Sequence, residues 1–263
     1  MPAIPKRLWL TGIVSGVVSG MLGVGGGLVL GPALLLLGLP LRRATGTALA
    51  LIPFVALVAV VAELYLAPQN INFLLATMVV VGGFLGVKLG AALYTILPDK
   101  IMHYLFVALV VGAAVRNIYS GSAVVEEQLV FSQLIITPWH FVFAALFGVF
   151  AGTCAVLFGV GGGVIVVPAL IITIEGLNFQ SASAISLVAM IPTTSIAAHS
   201  AYRQHRIDIA LAKVLAWVCL PAAMLGVVLR NFSLSHQQLQ LCFAAFLLYV
   251  ALRMFRRGPT PGT

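Results

Sequence analysis

The stretch Gly23-Val24-Gly25-Gly26-Gly27 ends one hydrophobic run and begins another, and Gly159-Val160-Gly161-Gly162-Gly163 does the same 136 residues later. Pro32-Ala33-Leu34 and Pro168-Ala169-Leu170 follow the two clusters at the same distance. Each cluster predicts a break near the middle of a membrane helix, because glycine readily adopts the left-handed geometry that ends a helix. Amides at such a break are tolerated in a membrane only where protein or a water-filled cavity surrounds them. Two breaks at corresponding places therefore predict the binding site of a transporter.

The composition is typical of a membrane protein. Of the 263 residues, 62% are hydrophobic and 8% are charged, whereas a soluble domain is about 25% charged. We expect an all-α polytopic membrane protein with about eight hydrophobic helical segments. These segments are 8–38, 44–66, 71–97, 101–119, 138–174, 179–201, 207–229 and 236–255.

Two homologous four-segment halves account for this order, and a glycine cluster breaks the first segment of each half. The motif Ala44-Thr45-Gly46-Thr47 corresponds to Ala182-Ser183-Ala184-Ile185 at the start of the following helix. We predict a first transmembrane repeat at 1–119, a linker at 120–137, a second repeat at 138–257 and a disordered tail at 258–263.

The charges favour a particular topology. Basic residues collect in cytoplasmic loops, which explains the net charge of +8 without nucleic acid as a partner. Eight full crossings place nine loop Lys and Arg residues inside and four outside, whereas re-entrant first and fifth segments place eleven inside and two outside. The re-entrant arrangement leaves three crossings in each half and makes the halves inverted repeats. We favour it, with eight crossings as the alternative; both place the N- and C-termini in the cytoplasm.

These motifs resemble those of the sulfite exporter TauE/SafE family of membrane permeases. The resemblance covers nearly the whole chain and rests on the paired glycine clusters, on the Pro-Ala-Leu step after each, and on the helix start at Ala44-Thr45-Gly46-Thr47. The step Leu85-Gly86 and its counterpart Leu225-Gly226 add to it. The second half departs from the pattern, since Ala184-Ile185 replaces Gly-Thr. The resemblance implies a bacterial inner-membrane transporter of small anions, including sulfite and organosulfonates, that usually exports them.

The clusters suggest how an anion would be held. The helical stretches that restart near Leu28 and Val164 begin with amides that lack intrahelical partners and carry the positive end of the helix dipole. Two such termini facing each other would hold an oxyanion of sulfite or sulfonate size. The alternative is that the glycines only allow helices to cross closely. The predicted binding residues are Gly23, Gly25, Gly26, Gly27, Gly159, Gly161, Gly162 and Gly163.

Hydroxyl residues and one lysine complete the predicted binding site. Thr45, Thr47, Ser183 and Ser186 start the helix after each cluster and can donate to an oxyanion. Each could instead bond a carbonyl of its own helix. Lys88 is the one basic residue well inside a segment, which makes it a functional candidate, and the alternative is that its side chain extends to the membrane surface.

Other charged residues are interpreted more simply. Arg203 and Arg206 are read as anchors on the cytoplasmic side, and Glu63 as an interfacial residue with binding of a coupling proton as its alternative. The sequence has no His-x-x-x-His, no paired intramembrane carboxylates and no cysteine cluster. We therefore predict no catalytic residues, no metal site, no cofactor and no enzyme activity.

The sequence as a whole favours a secondary transporter that exports a small anion. Its expected partners are the anion, the lipid bilayer and, as a candidate coupling ion, the proton. The sequence is also compatible with a homo-oligomer. An anion channel that uses the same amides is one alternative, and a membrane subunit that does not transport is another.

Overall fold

The computed structural model describes residues 6–122, 137–232 and 235–257, and within these ranges it contains ten α-helices and no strand. A short 3₁₀ turn at Pro68–Asn70 joins the third of these helices to the fourth. The helices are α1 Lys6–Leu22, α2 Gly27–Leu36, α3 Leu41–Leu66, α4 Phe73–Ile96, α5 Asp99–Ser122, α6 Pro138–Phe158, α7 Gly163–Thr173, α8 Phe179–Arg203, α9 Ile209–Phe232 and α10 His236–Arg257.

Five helices, namely α3, α4, α6, α8 and α9, are long and apolar enough to cross a membrane, and shorter apolar helices accompany them. Bulky apolar side chains such as Trp9, Phe54 and Trp217 point out of the bundle, as expected where lipid surrounds a protein. The prediction of an all-α polytopic membrane protein is confirmed at this level. Helix α5 extends to Ser122, three residues into the predicted linker. Residues 123–136 of that linker and the predicted tail 258–263 lie outside the described residues.

Glycines set the closest helix contacts. Gly12 lies against Val218 and Gly20 against Val227, so α1 and α9 run in the same direction. At Gly20 an added Cβ would overlap the main chain of Ala223. Small residues spaced four apart allow backbones to approach in this way.

Helices α4 and α6 form an equivalent pair. Gly82 of α4 lies against Ala145 and Gly90 lies against Thr153, so these two helices are also parallel. Close packing is therefore made between the first and second parts of the chain in both pairs.

The two ends of the bundle are defined by α3 and α9. Near the start of α3, Gly46 contacts Arg206, which precedes α9. Near the end of α3, Glu63 pairs with Arg230 close to the end of α9. We call these the Arg206 end and the Glu63 end.

Each of the two short helices returns the chain to the end that it came from. Because α1 and α3 both begin at the Arg206 end, α1 and α2 together leave and return to that end. Helix α6 begins beside the start of α4, and α8 begins near Asn70 at the Glu63 end, so α6 and α7 leave and return to the Glu63 end.

Candidate functional site

Two glycine-rich turns join the paired helices at the centre of the bundle. We call Gly23–Gly27, between α1 and α2, the first glycine loop, and Gly159–Gly163, between α6 and α7, the second glycine loop. Three glycines in each loop have φ between 68° and 82°, a left-handed geometry that suits glycine because it lacks a Cβ. These residues are Gly23, Gly25, Gly26, Gly159, Gly161 and Gly162.

Both loops pack against the middle of the same two long helices. Ile52 and Met190, which lie near the midpoints of α3 and α8, each contact Gly25 of the first loop and Gly161 of the second. The two loops therefore meet at mid-depth in the bundle.

The loops also touch each other directly. Gly27 lies against the carbonyl oxygen of Gly159, and Gly163 lies against the carbonyl oxygen of Gly23. A Cβ added at Gly27 or Gly163 would overlap these oxygens. The contact is reciprocal and consists of main-chain atoms, so no side chain separates the two loops there.

Beyond the first glycine of each loop, the loop amides have no acceptors among the described residues. Among the described residues, none of the backbone amides from Val24 to Leu28 or from Val160 to Val164 donates a hydrogen bond. The first turns of α2 and α7 thus bring the positive ends of two helix dipoles to one region. Such termini favour an anion.

Serines of α8 lie against the first glycine loop. Ser186 Oγ donates to the Gly23 carbonyl at 3.0 Å. Ser183 Oγ is packed against Gly23 and has no hydrogen-bond partner among the described residues. Ser183 is thus a buried hydroxyl whose proton is available to a ligand.

Serines of α1 lie on the other side of the same loop. Ser15 Oγ donates to the Gly26 carbonyl at 2.9 Å. Ser19, whose Cβ lies close to Gly26, has a buried Oγ with no partner within the described part of the chain. The sequence analysis missed both residues, although their four-residue spacing on an apolar helix just before a glycine cluster was a usable signal.

The second glycine loop has fewer polar neighbours. Its Gly159 packs against the main chain of Thr45, and its Gly162 packs against Ala151. Thr45 Oγ1 donates to the Arg42 carbonyl of its own helix at 3.2 Å. That bond matches the alternative role considered for the predicted hydroxyls.

Two of the predicted binding residues lie elsewhere. Thr47 Oγ1 accepts a hydrogen bond from the Asp208 amide at 3.0 Å, and so joins α3 to the start of α9. Lys88 lies on the exposed face of α4, opposite the buried Gly86 and Gly90. The structure brings Thr45, Ser183 and Ser186 to the glycine loops, but neither Thr47 nor Lys88.

The space beside the loops is small in this conformation. A cavity of about 10 Å³ is lined by Gly161, Ser186, Met190 and Thr193 together with small residues of α4 and α6. This is about the volume that one water molecule needs by such a measure. An oxyanion would enter only if Met190 or the glycine loops moved.

A buried ion pair closes the Glu63 end. Arg230 pairs with Glu63, and both side chains are fully buried. Asn70 Nδ2 donates to Glu63 Oε1 at 2.6 Å, and Asn231 Nδ2 donates to Oε2 at 2.8 Å. Glu63 is therefore a buried member of a polar network near the end of α3. A polar cavity of about 320 Å³, also lined by Gln180, opens beside this network.

Similarity to known proteins was found at two levels. The family described as Sulfite exporter TauE/SafE matches residues 2–117 and 144–263. A protein of Bacillus subtilis (strain 168) named "Probable membrane transporter protein YdhB" is 26% identical over 180 residues, which cover 67% of this chain and 70% of that protein. No solved structure matches significantly.

Proposed function

The chain belongs to the sulfite exporter TauE/SafE family, and on that premise we propose that it is a secondary transporter that exports a small anion such as sulfite or an organosulfonate. Membership of this family and the similarity to a probable membrane transporter support membrane transport. The choice of anion, the direction and the binding site are our proposal. The observation that carries it is the meeting of the two glycine loops at the centre of the bundle.

The proposed binding site consists of the unpaired amides of both loops and the hydroxyls of Ser19 and Ser183, while Ser186, which donates to the Gly23 carbonyl, positions the first glycine loop. The amides supply donors without a buried lysine, and the first turns of α2 and α7 add favourable dipoles. Ser19 and Ser183 supply directed donors beside the first glycine loop. An anion with several oxygens, such as sulfite or a sulfonate, can accept from all of them at once.

We propose that the two halves are homologous inverted repeats, each broken at its glycine cluster. The parallel pairing of α1 with α9 and of α4 with α6, and the return of each short helix to its own end, support this arrangement. Inverted repeats commonly move against each other to expose a central site to either side. The contact between the loops and the 10 Å³ cavity fit a state closed to both sides.

We place the Arg206 end in the cytoplasm of a bacterial inner-membrane protein, together with both termini. Arg42, Arg43, Arg203 and Lys213 are exposed at that end, and the positive-inside rule assigns such an end to the cytoplasm. Lys88 lies on the part of α4 nearer to this end, so we assign it the role of a side chain that extends to the membrane surface.

A channel is the less favoured alternative, because the two loops touch and the cavity beside them is small in this conformation. Turnover separates the two: we expect flux that saturates with substrate concentration. An ohmic current through single proteins in a planar bilayer would support the channel instead. A catalytic role is not part of the proposal.

The experiment that tests the proposal is sulfite efflux from proteoliposomes that contain wild-type protein, Gly26→Val or Gly162→Val. Valine is β-branched and fits poorly at φ of 72° or 82°, so we expect at least a tenfold loss of flux. Gly112→Val is the matched control, since Gly112 is exposed and an added Cβ there meets nothing within 4 Å. Wild-type flux in both loop variants would refute the proposed site.

The substrate class is tested in parallel. Thermal shifts of purified wild-type protein with sulfite, taurine, sulfate and acetate would rank the candidate anions. Stabilisation by acetate alone would contradict the choice of a sulfur oxyanion.

A further inference from the structure

Arg206 is a buried cation with no acidic partner among the described side chains. The residue is only 6% exposed, and none of its three guanidinium nitrogens has a hydrogen-bond partner among the described residues. It lies in the turn between α8 and α9, where its main chain packs against Gly46. A buried charge normally has a partner, because desolvation without one is costly.

The two other buried charges of the described residues show the usual solution. Arg230 at the opposite end is paired with Glu63. Near Arg206, the acid closest in sequence is Asp208, but its Oδ1 accepts from the Leu211 amide at 3.0 Å and so caps α9. The carboxylate of Asp208 therefore serves the helix rather than Arg206.

Tyr94 places a second unpaired donor beside Arg206. The Arg206 guanidinium carbon lies 4.0 Å from the centre of the Tyr94 ring, a cation–π distance. The ring holds the planar guanidinium in position, yet Tyr94 Oη is buried and has no partner within the described part of the chain. Arg42 also approaches this ring, at 5.5 Å from its centre. The surroundings thus combine positive charge with several unused donors.

We propose that Arg206 and Tyr94 form an oxyanion-binding site at the Arg206 end. A guanidinium offers donors in a fixed fork that matches two oxygens of one anion. The site rests on the proposed function for its role, which is to capture the anion before it reaches the glycine loops. Gly46 contacts the main chain of Arg206 while its neighbour Thr45 contacts Gly159, so the start of α3 links the turn that carries Arg206 to the second glycine loop.

The ligand is an oxyanion group, and two sources could supply it: a soluble anion such as sulfite, or the phosphate of an anionic lipid. The exposed cations Arg42, Arg43 and Lys213 at this end would attract either one. We assign the site to the soluble anion, and the test separates the sources.

The test measures sulfite affinity of purified protein in neutral detergent for wild type, Arg206→Gln, Arg206→Lys, Tyr94→Phe and Arg203→Gln. We expect at least a tenfold weaker Kd for Arg206→Gln, and a smaller loss for Arg206→Lys, which keeps the charge but not the fork. For Tyr94→Phe we expect a loss of about threefold, as for one hydrogen bond. Arg203→Gln is the matched control, because Arg203 is exposed at the same end; it should change affinity less than twofold.

A readout of stability separates binding from a structural role. Removal of an unpaired buried charge should leave the melting temperature of the ligand-free protein unchanged or higher, while the stabilisation by sulfite falls. A ligand-free melting temperature that drops in Arg206→Gln and Arg206→Lys, with sulfite affinity unchanged in Tyr94→Phe, would overturn the proposal.

Three further outcomes are decisive. If titration with phosphatidylglycerol, but not with sulfite, depends on Arg206, the capture of a soluble anion is refuted and the site belongs to lipid. If Gly26→Val abolishes flux while Arg206→Gln keeps wild-type affinity and flux, this inference fails and the proposed function stands. If Arg206→Gln loses binding while the glycine-loop variants transport normally, the loops fail and the Arg206 site stands.

Discussion

The first and second glycine loops have the same backbone geometry but different neighbouring side chains. Both have three glycines at positive φ and begin a short helix, and both contact Ile52 and Met190. The first loop, however, lies among four serines, Ser15, Ser19, Ser183 and Ser186. The second lies against Ala151 and the main chain of Thr45.

The difference distinguishes the role of the glycines, which form the turns, from the role of the serines, which supply hydroxyl donors. In the frame that aligns the glycine clusters, Ala151 stands where the first half has Ser15, and Ala155 stands where it has Ser19. The glycines alone create the turns and expose the amides, and they do so in both halves. The hydroxyl donors lie around the first glycine loop, so we expect an anion to be bound more strongly by the first loop than by the second.

The largest effect should come from the positions where the loops touch, and it should be equal in both. Gly27→Ala and Gly163→Ala each drive a Cβ into a carbonyl oxygen of the other loop. Main-chain atoms cannot rotate away, so we expect a loss of about 3 kcal/mol of folding free energy and loss of flux. Detergent-titration unfolding and proteoliposome flux measure the two effects.

Gly31→Ala in α2 is the control for that pair, because an added Cβ there meets nothing within 4 Å. It should fold and transport normally. If Gly27→Ala were damaging and Gly163→Ala silent, the reciprocal contact between the loops would be wrong.

An intermediate effect should follow from exchanging the side chains that differ. Ser15→Ala removes the hydrogen bond to the Gly26 carbonyl and should cost about 1 kcal/mol of folding free energy. Ala151→Ser offers the second loop the same hydroxyl near Gly162 and should cost nothing. Unfolding curves of the two variants and of wild type make the comparison; equal losses in both would show that the loops do not differ as described.

The smallest effect should appear only when anion is present. Ser183→Ala removes a hydroxyl with no partner, so the ligand-free protein should be as stable as wild type. Sulfite affinity should fall by about threefold, as for one hydrogen bond. Ser195→Ala, which removes an exposed hydroxyl bonded within its own helix, is the control. A Ser183→Ala protein with unchanged affinity would remove Ser183 from the binding site.

Features that depend on local chemistry could be predicted from the sequence. The hydrophobic segments predict helices, and the glycine clusters mark the turns between α1 and α2 and between α6 and α7, because a run of glycines has few other uses in an apolar segment. The start of α3 and of α8 beside the loops also follows from the repeated motif at Thr45 and Ser183.

Features that depend on which helix faces which could not be predicted in the same way. Glu63 and Arg230 are 167 residues apart, and only the parallel run of α3 and α9 brings them together. Counting residues along the sequence places Lys88 deep within a membrane-spanning segment. Lys88 is two residues from Gly86, which places it about 200° around the helix from the packed glycine face. The glycine spacing in the sequence therefore indicates that Lys88 lies on the opposite face.

The burial of Arg206 is another feature that the sequence alone does not predict. It follows the exposed Arg203 in a short basic stretch, and sequence alone gives both residues the same meaning. The turn after α8 buries one of them on Tyr94 and leaves the other in solvent. The difference lies in the shape of a turn and not in composition.

The interleaving of the two halves has a consequence for biogenesis. Helix α1 packs on α9, α4 on α6, and α3 on both α8 and α9, so the first half has no separate core to complete while the ribosome is still translating the second. Until α9 is synthesised, the Glu63 carboxyl has no Arg230 to pair with and the glycine face of α1 has no partner helix. The glycine face of α4 likewise has no partner helix until α6 is synthesised. A chain that stops after α5 should therefore be a substrate for membrane quality-control proteases, and two separately expressed halves should accumulate only when they are made together.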